Sequence, residues 1–578
     1  MRIIFTFLLL LISIPAFSQV IADPTEKIYE YITIWEGKGY VNNLPLLRPY
    51  PHTLLKQILE NVIQKGDQTE RELAQSWYDE LFYTFQKKSR PGRLLPTPFG
   101  IRFINDLWFD TDDYLYATML NLQFQDQVTD WFSYSGFMAT GFKLFEGYPE
   151  PVYTRIEDDS ISGGSNFNIG ELEANGMNNS KTMIFFGNQD LYLQAGISRS
   201  VFGPFWDNSG IIGSHAPSTG HISFTWNPGW GCFTSVLLPL HPKYYESNMD
   251  PGDPFYDGNN GTTQPIPSSF EPVEKYLILH SWSFRIADWF TFTLLQSVVF
   301  GERFVWAYLF PLQHLTYTQL LMGDVDSSYI GVITEFDLPA NIDLDLMLYI
   351  DDFNMDKFMG GDGALFDINS GQNKVAFQAG LTWTPGPDVA TVGTEAESGE
   401  KIQGAEVFRK ISISYFMVTP YTYTHNGSTE AATPYLSYTH EGVGLGTILP
   451  PNSDKIALTA FLQPTSWCDI QLFSYFMRHG NASEDVAGLE ATSNGSYWDD
   501  GRDWDGTVSF YGSSRFMAQD VIEKILQIGF YTDFRFNPGF GKLLLGIGYT
   551  FEYGWDRGLN PGDNGARNIF SFTVGIEL

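Results

Sequence analysis

The chain is poor in cysteine, in basic side chains and in long apolar runs, and each shortage removes a class of protein. Its 578 residues include 2 cysteines, which excludes a disulfide scaffold or a cysteine-rich zinc site. Lys and Arg number 34 against 67 Asp and Glu, and the net charge of −33 excludes a basic face for nucleic acid. After the N-terminal segment no run of about 18 apolar residues occurs, which excludes helical membrane spans.

Aromatic residues, glycine and proline are abundant, and they favour strands and turns. Aromatic residues make up 16% of the chain and charged residues 17%, with 55 Gly and 31 Pro. A disordered acidic chain would have fewer aromatic and more charged side chains. The composition therefore predicts a folded protein rich in strands and tight turns.

Residues 1–18 have the pattern of a signal peptide. Arg2 precedes an apolar run over 3–12, and Ala16 and Ser18 occupy the −3 and −1 positions of a cleavage site. The run is too short to span a bilayer as a helix. We expect an exported protein.

Residues 19–92 are predicted to form a helical head in the periplasm. Pro51 opens a segment whose apolar residues share one helix face, and Gly66 ends it. Thr69 and Glu72 have the spacing of a capping box at the start of the next helix. Helices of this size cannot enclose a core alone, so we expect their apolar faces to pack on a larger body.

Residues 93–578 are predicted to form an outer-membrane β-barrel with long extracellular loops. Apolar and polar residues alternate most clearly over 526–536, 543–553 and 570–578. A soluble sandwich also alternates, but these segments have the length of tilted membrane strands, and their second face carries Gly, Thr, Tyr and charge. The fold class is an all-β transmembrane barrel of roughly 16–18 antiparallel strands with a small N-terminal α-helical periplasmic domain.

The connections predict an orientation. Short turns are followed by Trp131, Trp289 and Trp467, which suits the aromatic girdle of a membrane interface. Short turns of such barrels face the periplasm and long loops the exterior. The long polar segments are 146–187, 241–274, 352–373, 478–523 and 555–568. The strand assignment stays open between 385 and 455.

Short motifs follow one another in the order of a known family. They are Leu193 to Arg199 with Phe202-Gly203-Pro204-Phe205-Trp206, His280 before Gly301-Glu302-Arg303, Tyr308-Leu309-Phe310-Pro311-Leu312, Asp351-Asp352-Phe353, and Gly444-Leu445-Gly446 with Pro451-Asn452-Ser453-Asp454. Over most of 25–480 this order resembles the Wzi-type capsule-assembly outer-membrane proteins. Phe202 stands where that family has Trp, and Pro451-Asn452 replaces its G-P-D, which affects the details of glycan contact more than the fold.

The resemblance implies a lectin-like, non-catalytic barrel without a cofactor that anchors or organises exported polysaccharide at the bacterial cell surface. Its partners would be surface polysaccharide, outer-membrane lipid, and the barrel-assembly and polysaccharide-export machinery. In the 478–523 loop, aromatic faces beside carboxylates suit sugars, although a solvated acidic loop explains them equally well. The candidate polysaccharide-binding residues are Arg199, Trp206, Glu302, Arg303, Tyr497, Trp498, Asp503 and Trp504.

The main alternative is a porin for small solutes. Asp343, Asp345 and Asp351 are predicted on the lumen face of one strand, and an acidic lumen would favour cations. A lectin-like barrel should be blocked by inward loops and side chains, whereas a pore should conduct. Calcium binding by the acidic loops stays open.

Two possible enzyme sites are disfavoured by their local sequence. His425 and Ser428 lie in an Asn-Gly turn and lack the motif order of outer-membrane phospholipases. Asp351 and Asp352 are adjacent in a strand and so point to opposite faces, which disfavours an acid–base dyad. The sequence therefore predicts no enzyme.

Overall fold

The fold is described from a computed structural model of the 578-residue chain. Some predictions concern residues outside the described ones. These are the signal peptide, Trp206, His425, Ser428 and the 481–515 part of the acidic loop. The structure describes residues 21–82, 99–147, 149–153, 161–169, 172–205, 209–241, 274–323, 325–352, 374–386, 407–420, 422–423, 436–440, 443–480, 516–517, 519, 521–536, 538 and 541–577.

A closed ring of 18 antiparallel strands forms the body of the molecule, as the alternation predicted. The strands are β1 Phe99–Phe109, β2 Tyr114–Thr129, β3 Phe132–Glu146, β4 Leu172–Gly187, β5 Leu191–Ser198, β6 Thr219–Trp226, β7 Gly231–Leu240, β8 Lys275–Ala287, β9 Phe290–Gly301, β10 Ser327–Leu338, β11 Ile342–Asp352, β12 Lys374–Trp383, β13 Phe408–Val418, β14 Ser453–Thr465, β15 Cys468–Gly480, β16 Ile522–Phe536, β17 Lys542–Trp555 and β18 Gly565–Glu577.

Each strand pairs with its neighbour in sequence, and the last strand closes on the first. In the closing pair β1–β18 the register runs from Arg102 opposite Glu577 to Phe109 opposite Phe570. Outside the ring, a further strand, Ile161–Ile169, pairs with β4. Closure leaves no unpaired edge, which is the condition for strands to cross a bilayer.

Two stretches of the chain differ from the sequence-based assignment. Residues 172–187 were predicted within a long loop, but they form β4, whose first half is too polar to show alternation. At 16 residues β4 exceeds the roughly 10 that a membrane strand needs, so part of it can extend beyond the apolar band and be polar on both faces. The described part of the stretch left open, 385–455, contains the barrel strand β13, the start of β14, and the short pair Thr439–His440 with Val443–Gly444.

The barrel is apolar outside and largely polar on its inner face. Ile528 and Val574 are exposed on the outer face, whereas Gln125 and Gln527 are buried inside. This inversion of a soluble core is what lipid outside and polar contacts inside require. Among the described residues, no helix is long and apolar enough to span a membrane.

Tryptophans mark one end of the barrel. Trp131, Trp289 and Trp467 are exposed beside the short turns, and each stacks on a strand-end phenylalanine. This is the predicted girdle at a membrane interface. Because the short turns of such barrels face the periplasm, this interface is the periplasmic one.

Among the described residues, three helices precede the barrel: α1 Lys27–Gly37, α2 His52–Lys65 and α3 Gln68–Leu81. The predicted capping box is wrong, because the side chain of Asp67 caps α3 by accepting from the backbone N–H of Glu70 at 3.0 Å, and Thr69 is exposed. A fourth helix, α4 Leu315–Leu321, and the 3₁₀ turns Trp306–Leu309 and Arg557–Leu559 lie in connections at the long-loop end. We call residues 21–82 the head.

Candidate functional site

The head docks into the periplasmic end of the barrel through a buried ion pair. Glu70 of α3 is fully buried and accepts from Arg409 of β13 at 2.7 Å. Two head residues share the same carboxylate, Trp35 at 2.8 Å and Lys38 at 2.6 Å. Burial alone would raise the pKa of Glu70, but Arg409 and Lys38 outweigh it and lower this pKa. The carboxylate therefore joins two helices to the barrel wall as a charged group.

Further polar contacts attach the head around the rim. The hydroxyl of Tyr31 donates to Asp469 of β15 at 3.0 Å. Lys181 of β4 donates to Asp23 at 2.5 Å, and an ion pair of 3.0 Å joins Arg102 of β1 to Glu26. Apolar packing accompanies them, since the head cluster includes Phe461 of β14. The expectation that the helices pack on a larger body is confirmed.

In the described part of the chain, residues of two connections at the long-loop end turn into the lumen. The first inward loop, residues 199–205 and 209–218, lies between β5 and β6. The second inward loop lies between β13 and β14, and its described residues are 419–420, 422–423, 436–440 and 443–452. The two inward loops meet each other, because the backbone N–H of Gly213 donates to the carbonyl of Leu445 at 2.8 Å and Nε2 of His215 lies 2.7 Å from the carbonyl oxygen of Gly444.

The first inward loop also meets the head inside the barrel. Leu47 and Arg48 form a two-residue antiparallel pair with Phe202 and Val201. The N–H of Gly203 donates to the carbonyl of Leu46 at 3.0 Å, which extends that pair. Head and inward loops are thus one continuous body along the lumen.

An apolar cluster fills the space between this body and the wall. We call the body formed by the head and the two inward loops the plug, and it contributes Leu47, Phe202 and Ile211, all fully buried. Inward-facing side chains of the wall complete the cluster: Val236, Leu238, Leu277, Leu279, Leu295, Val299, Ile333, Met347, Phe416, Met477 and Ile525. Interiors packed in this way leave few voids as large as a water molecule. The lumen is therefore occluded along these residues.

Four tyrosines anchor the second inward loop to the wall. Tyr423 and Tyr438 of the loop lie against Tyr329 of β10 and Tyr349 of β11, with ring centroids 4.9 Å apart for Tyr329 and Tyr438. The hydroxyl of Tyr349 lies 2.5 Å from that of Ser297. Such rings combine apolar area with a polar tip that finds a partner when buried.

A cavity of about 270 Å³ remains between the head and the wall. Carboxylates of three elements line it, among them Glu36 of α1 and Asp343 and Asp345 of β11, together with the cations Arg48 and Lys410. Burial raises the pKa of Glu36 to about 8, against the opposing effect of Arg48. The predicted lumen orientation of the two β11 aspartates is confirmed, but they face this cavity beside the head.

The described candidate residues lie in two separate places. Arg199 is buried at the start of the first inward loop, where its guanidinium donates to the carbonyl of Ser214 at 2.7 Å. Glu302 and Arg303 follow β9 at the long-loop end, and Arg303 pairs with Asp326 at 2.8 Å. Polysaccharide contact by these residues stays a prediction, as it does for Trp206, Tyr497, Trp498, Asp503 and Trp504.

The residues that hold the plug were not predicted from the sequence. Asp351, expected on an open lumen wall, instead accepts from the N–H of Tyr423 at 2.7 Å and holds the second inward loop. Glu70 and Arg409 are 339 positions apart, so no local pattern joins them. Among the described residues no group of His, Cys, Asp and Glu could hold a metal ion.

These features define a class of protein: an outer-membrane β-barrel, closed and apolar outside, with its lumen occupied by a head and inward loops. In structure the chain is similar to Wzi of Escherichia coli, an outer membrane protein involved in group 1 capsule assembly and a carbohydrate-binding β-barrel. The TM-score is 0.52 at 11% identity, over 96% of this chain and 98% of that one, so the likeness concerns the fold.

Other solved barrels match less closely. OprD of Pseudomonas aeruginosa has a TM-score of 0.39 at 9% identity, over 83% of this chain and 94% of that one. OccD3 (OpdP) of the same organism has 0.38 at 12% identity, over 83% and 90%. No family model matches the chain. No curated protein matches it either.

Proposed function

We propose that this protein binds exported polysaccharide at the cell surface and keeps it attached to the outer membrane, without catalysis and without passing solutes. The observation that carries the proposal is the occluded lumen. A porin needs a continuous aqueous path, whereas a surface-binding barrel needs a rigid support for its loops. The buried cluster around Leu47, Phe202 and Ile211 meets the second requirement and opposes the first.

The ligand class is drawn from two sources. The structural neighbour Wzi is a carbohydrate-binding barrel, and that property is carried to this chain as a hypothesis only. The acidic aromatic loop with Tyr497, Trp498, Asp503 and Trp504 supplies ring faces and hydrogen-bonding groups of the kind that bind sugars. The proposal includes a signal peptide over 1–18, a periplasmic head over 19–92 and a barrel over 93–578.

The decisive experiment measures cell-bound and shed polysaccharide in a deletion strain and in strains complemented with variants. Deletion should move polysaccharide into the medium while total synthesis stays constant. The double variant Trp498→Ala, Trp504→Ala should retain less polysaccharide than the wild type at equal barrel insertion. An unchanged partition in the deletion strain would overturn the anchoring role.

A matched control separates the loop from a general loss of tryptophan. Trp131→Ala with Trp289→Ala removes two girdle tryptophans at the opposite end of the barrel. This control should retain polysaccharide as the wild type does. Purified protein in a planar bilayer should also show no steady conductance, and open-channel currents would instead support the porin.

A further inference from the structure

The described residues of the connection between β9 and β10, 302–323 and 325–326, lie on the outside of the barrel, and we call them the wall loop. Along β9, Leu295 and Val299 belong to the lumen cluster, so Val298 and Phe300 point outward. The wall loop buries Val305, Tyr308 and Leu315 against these outward side chains. Leu237 of β7 and Ile278 of β8 complete this outer cluster.

Two polar residues of the outer wall form hydrogen bonds with the backbone of the wall loop. Gln296 of β9 donates to the carbonyl of Gln313 at 2.7 Å and accepts from the N–H of Leu315 at 2.9 Å. His280 of β8 lies with Nε2 2.8 Å from the carbonyl oxygen of Tyr308. An unpaired polar group facing hydrocarbon is costly, so these contacts make the wall loop an integral part of the wall.

A bidentate ion pair joins the two ends of the wall loop. Both terminal nitrogens of Arg303 donate hydrogen bonds to the carboxylate of Asp326, at 3.2 and 2.8 Å. The hydroxyl of Tyr308 donates to the same carboxylate at 2.6 Å. The two ends of the loop are thereby joined where β9 ends and β10 begins.

The strand geometry gives the depth of the loop. Trp289 marks the periplasmic girdle, and Gln296 is six residues along β9 from Phe290. At about 3.3 Å per residue and a tilt of about 40°, Gln296 lies roughly 15 Å above that girdle. The apolar band of such barrels is about 25 Å tall, so the loop reaches down into its outer half.

The free face of the wall loop is apolar and aromatic. From Phe304 to Gly323 the loop has no Asp, Glu, Lys or Arg, in a chain of net charge −33. Leu312 is 93% exposed and Leu321 79%. Other exposed side chains on this face are Trp306, Phe310, Tyr317 and Leu320. A patch of this kind facing water would favour aggregation, whereas here it continues the lipid-facing surface of the barrel.

We propose that the wall loop is a lipid-binding element whose free face lies among the acyl chains of the outer leaflet. Continuity with the barrel belt, depth and lack of charge select lipid over a second copy of the chain or another protein. Trp306 and Tyr317 suit the upper boundary, where amphipathic rings prefer to lie. This role does not depend on polysaccharide binding.

The test places a nitroxide label on the full-length chain in lipid vesicles. Leu321→Cys is made with Cys232→Ser and Cys468→Ser, and folding is checked by circular dichroism. Collision rates with oxygen, which enters the bilayer, and with a water-soluble nickel chelate are compared. Ile222→Cys on the lipid-facing belt and Asn564→Cys in an exposed rim loop are the matched lipid and water controls.

Leu321→Cys should resemble Ile222→Cys, with an oxygen-to-nickel collision ratio severalfold above that of Asn564→Cys. A ratio equal to that of Asn564→Cys would place the loop in water and overturn the proposal. Low collision rates with both reagents would mean that protein covers the face, which also overturns it.

A second measurement needs no cysteine replacement. Trp306→Phe is compared with the wild type in vesicles of plain and of brominated lipid, and the fluorescence difference isolates Trp306. Strong quenching of that difference by brominated lipid is expected. Its absence would contradict acyl-chain contact.

Discussion

The two halves of the plug are held by different forces. At the periplasmic end the head is fixed by buried charge, with Glu70 on Arg409 and Asp23 on Lys181. In the middle of the barrel the inward loops are fixed by apolar packing around Phe202 and Ile211. Ion pairs in a buried setting are strongly sensitive to the loss of one partner, whereas apolar contacts lose stability in proportion to the volume removed. The head should therefore be the end that pH can loosen.

The largest effect is expected at the buried ion pair. Arg409→Met removes one of the two buried cations of Glu70 and leaves Lys38 as the other, which should cost about 3 kcal/mol in the free energy of unfolding. Urea unfolding and limited proteolysis of the head in detergent micelles measure this. Adding Glu70→Gln should recover part of the loss.

The control for this change is a pair at the same end of the barrel in which the carboxylate is exposed and the arginine is half-buried. Arg285→Met breaks a 3.4 Å contact with Asp288, which is 99% exposed. Its cost should stay within about 1 kcal/mol. Equal effects of the two arginine variants would contradict the difference between buried and exposed charge.

An effect of similar size is expected where the head meets the apolar half. Leu47 is fully buried, and Leu47→Ala should cost about 3 kcal/mol. The loss should be the same at about 0.1 M and about 1 M salt, because no charge is removed. Urea unfolding at the two salt concentrations checks this, and a loss that changes with salt would refute a purely apolar contact.

A pH effect is expected at His52. Its ring is buried between Phe82 and Phe185, and burial lowers the pKa from 6.5 to about 3. The unfolded head binds more protons between these values, so stability falls as the pH drops below 6.5. At pH 5 the buried, uncharged His52 lowers the free energy of unfolding by about 2 kcal/mol relative to neutral pH.

His52→Leu removes this titration while keeping an apolar side chain of similar volume. The variant should lose less stability than the wild type between pH 7.5 and pH 5, by about 2 kcal/mol. Thermal unfolding at the two pH values measures the difference. Parallel curves would show that His52 does not titrate in this range.

The smallest effect is expected at the helix cap. Asp67→Ala should cost about 1 kcal/mol, because the first turn of α3 loses its acceptor. Thr69→Ala should cost far less, since Thr69 is exposed and is not the cap. Urea unfolding measures both losses. A larger loss of stability for Thr69→Ala than for Asp67→Ala would contradict the Asp67 cap and support the capping box predicted from the sequence.

The barrel could be predicted from the sequence because its signal is local. Alternation over residues such as 526–536 shows which face meets lipid, and the structure confirms it with Ile528 outward and Gln527 inward. The strand count followed from length, although β4 was missed because its polar first half does not alternate. The alternation of short turns and long loops gave the orientation for the same local reason.

The plug and the wall loop could not be predicted, because their contacts are distant in sequence. Tyr31 and Asp469 are 438 positions apart, and irregular loops have no period to read. One signal was available: His280 and Gln296 are polar residues on the outward face of barrel strands. A polar residue on that face indicates that something covers it, and here the cover is the wall loop.

The closing pair β1–β18 has a consequence for assembly. Residues of the head, made early, contact strands made late, as Glu80 contacts Lys542 across 462 positions. The plug can be seated fully only when the last strands are present, yet pairing of β18 with β1 seals the ring around it. Folding of this chain therefore has a high contact order, because seating the head and closing the barrel both join residues that are far apart in sequence.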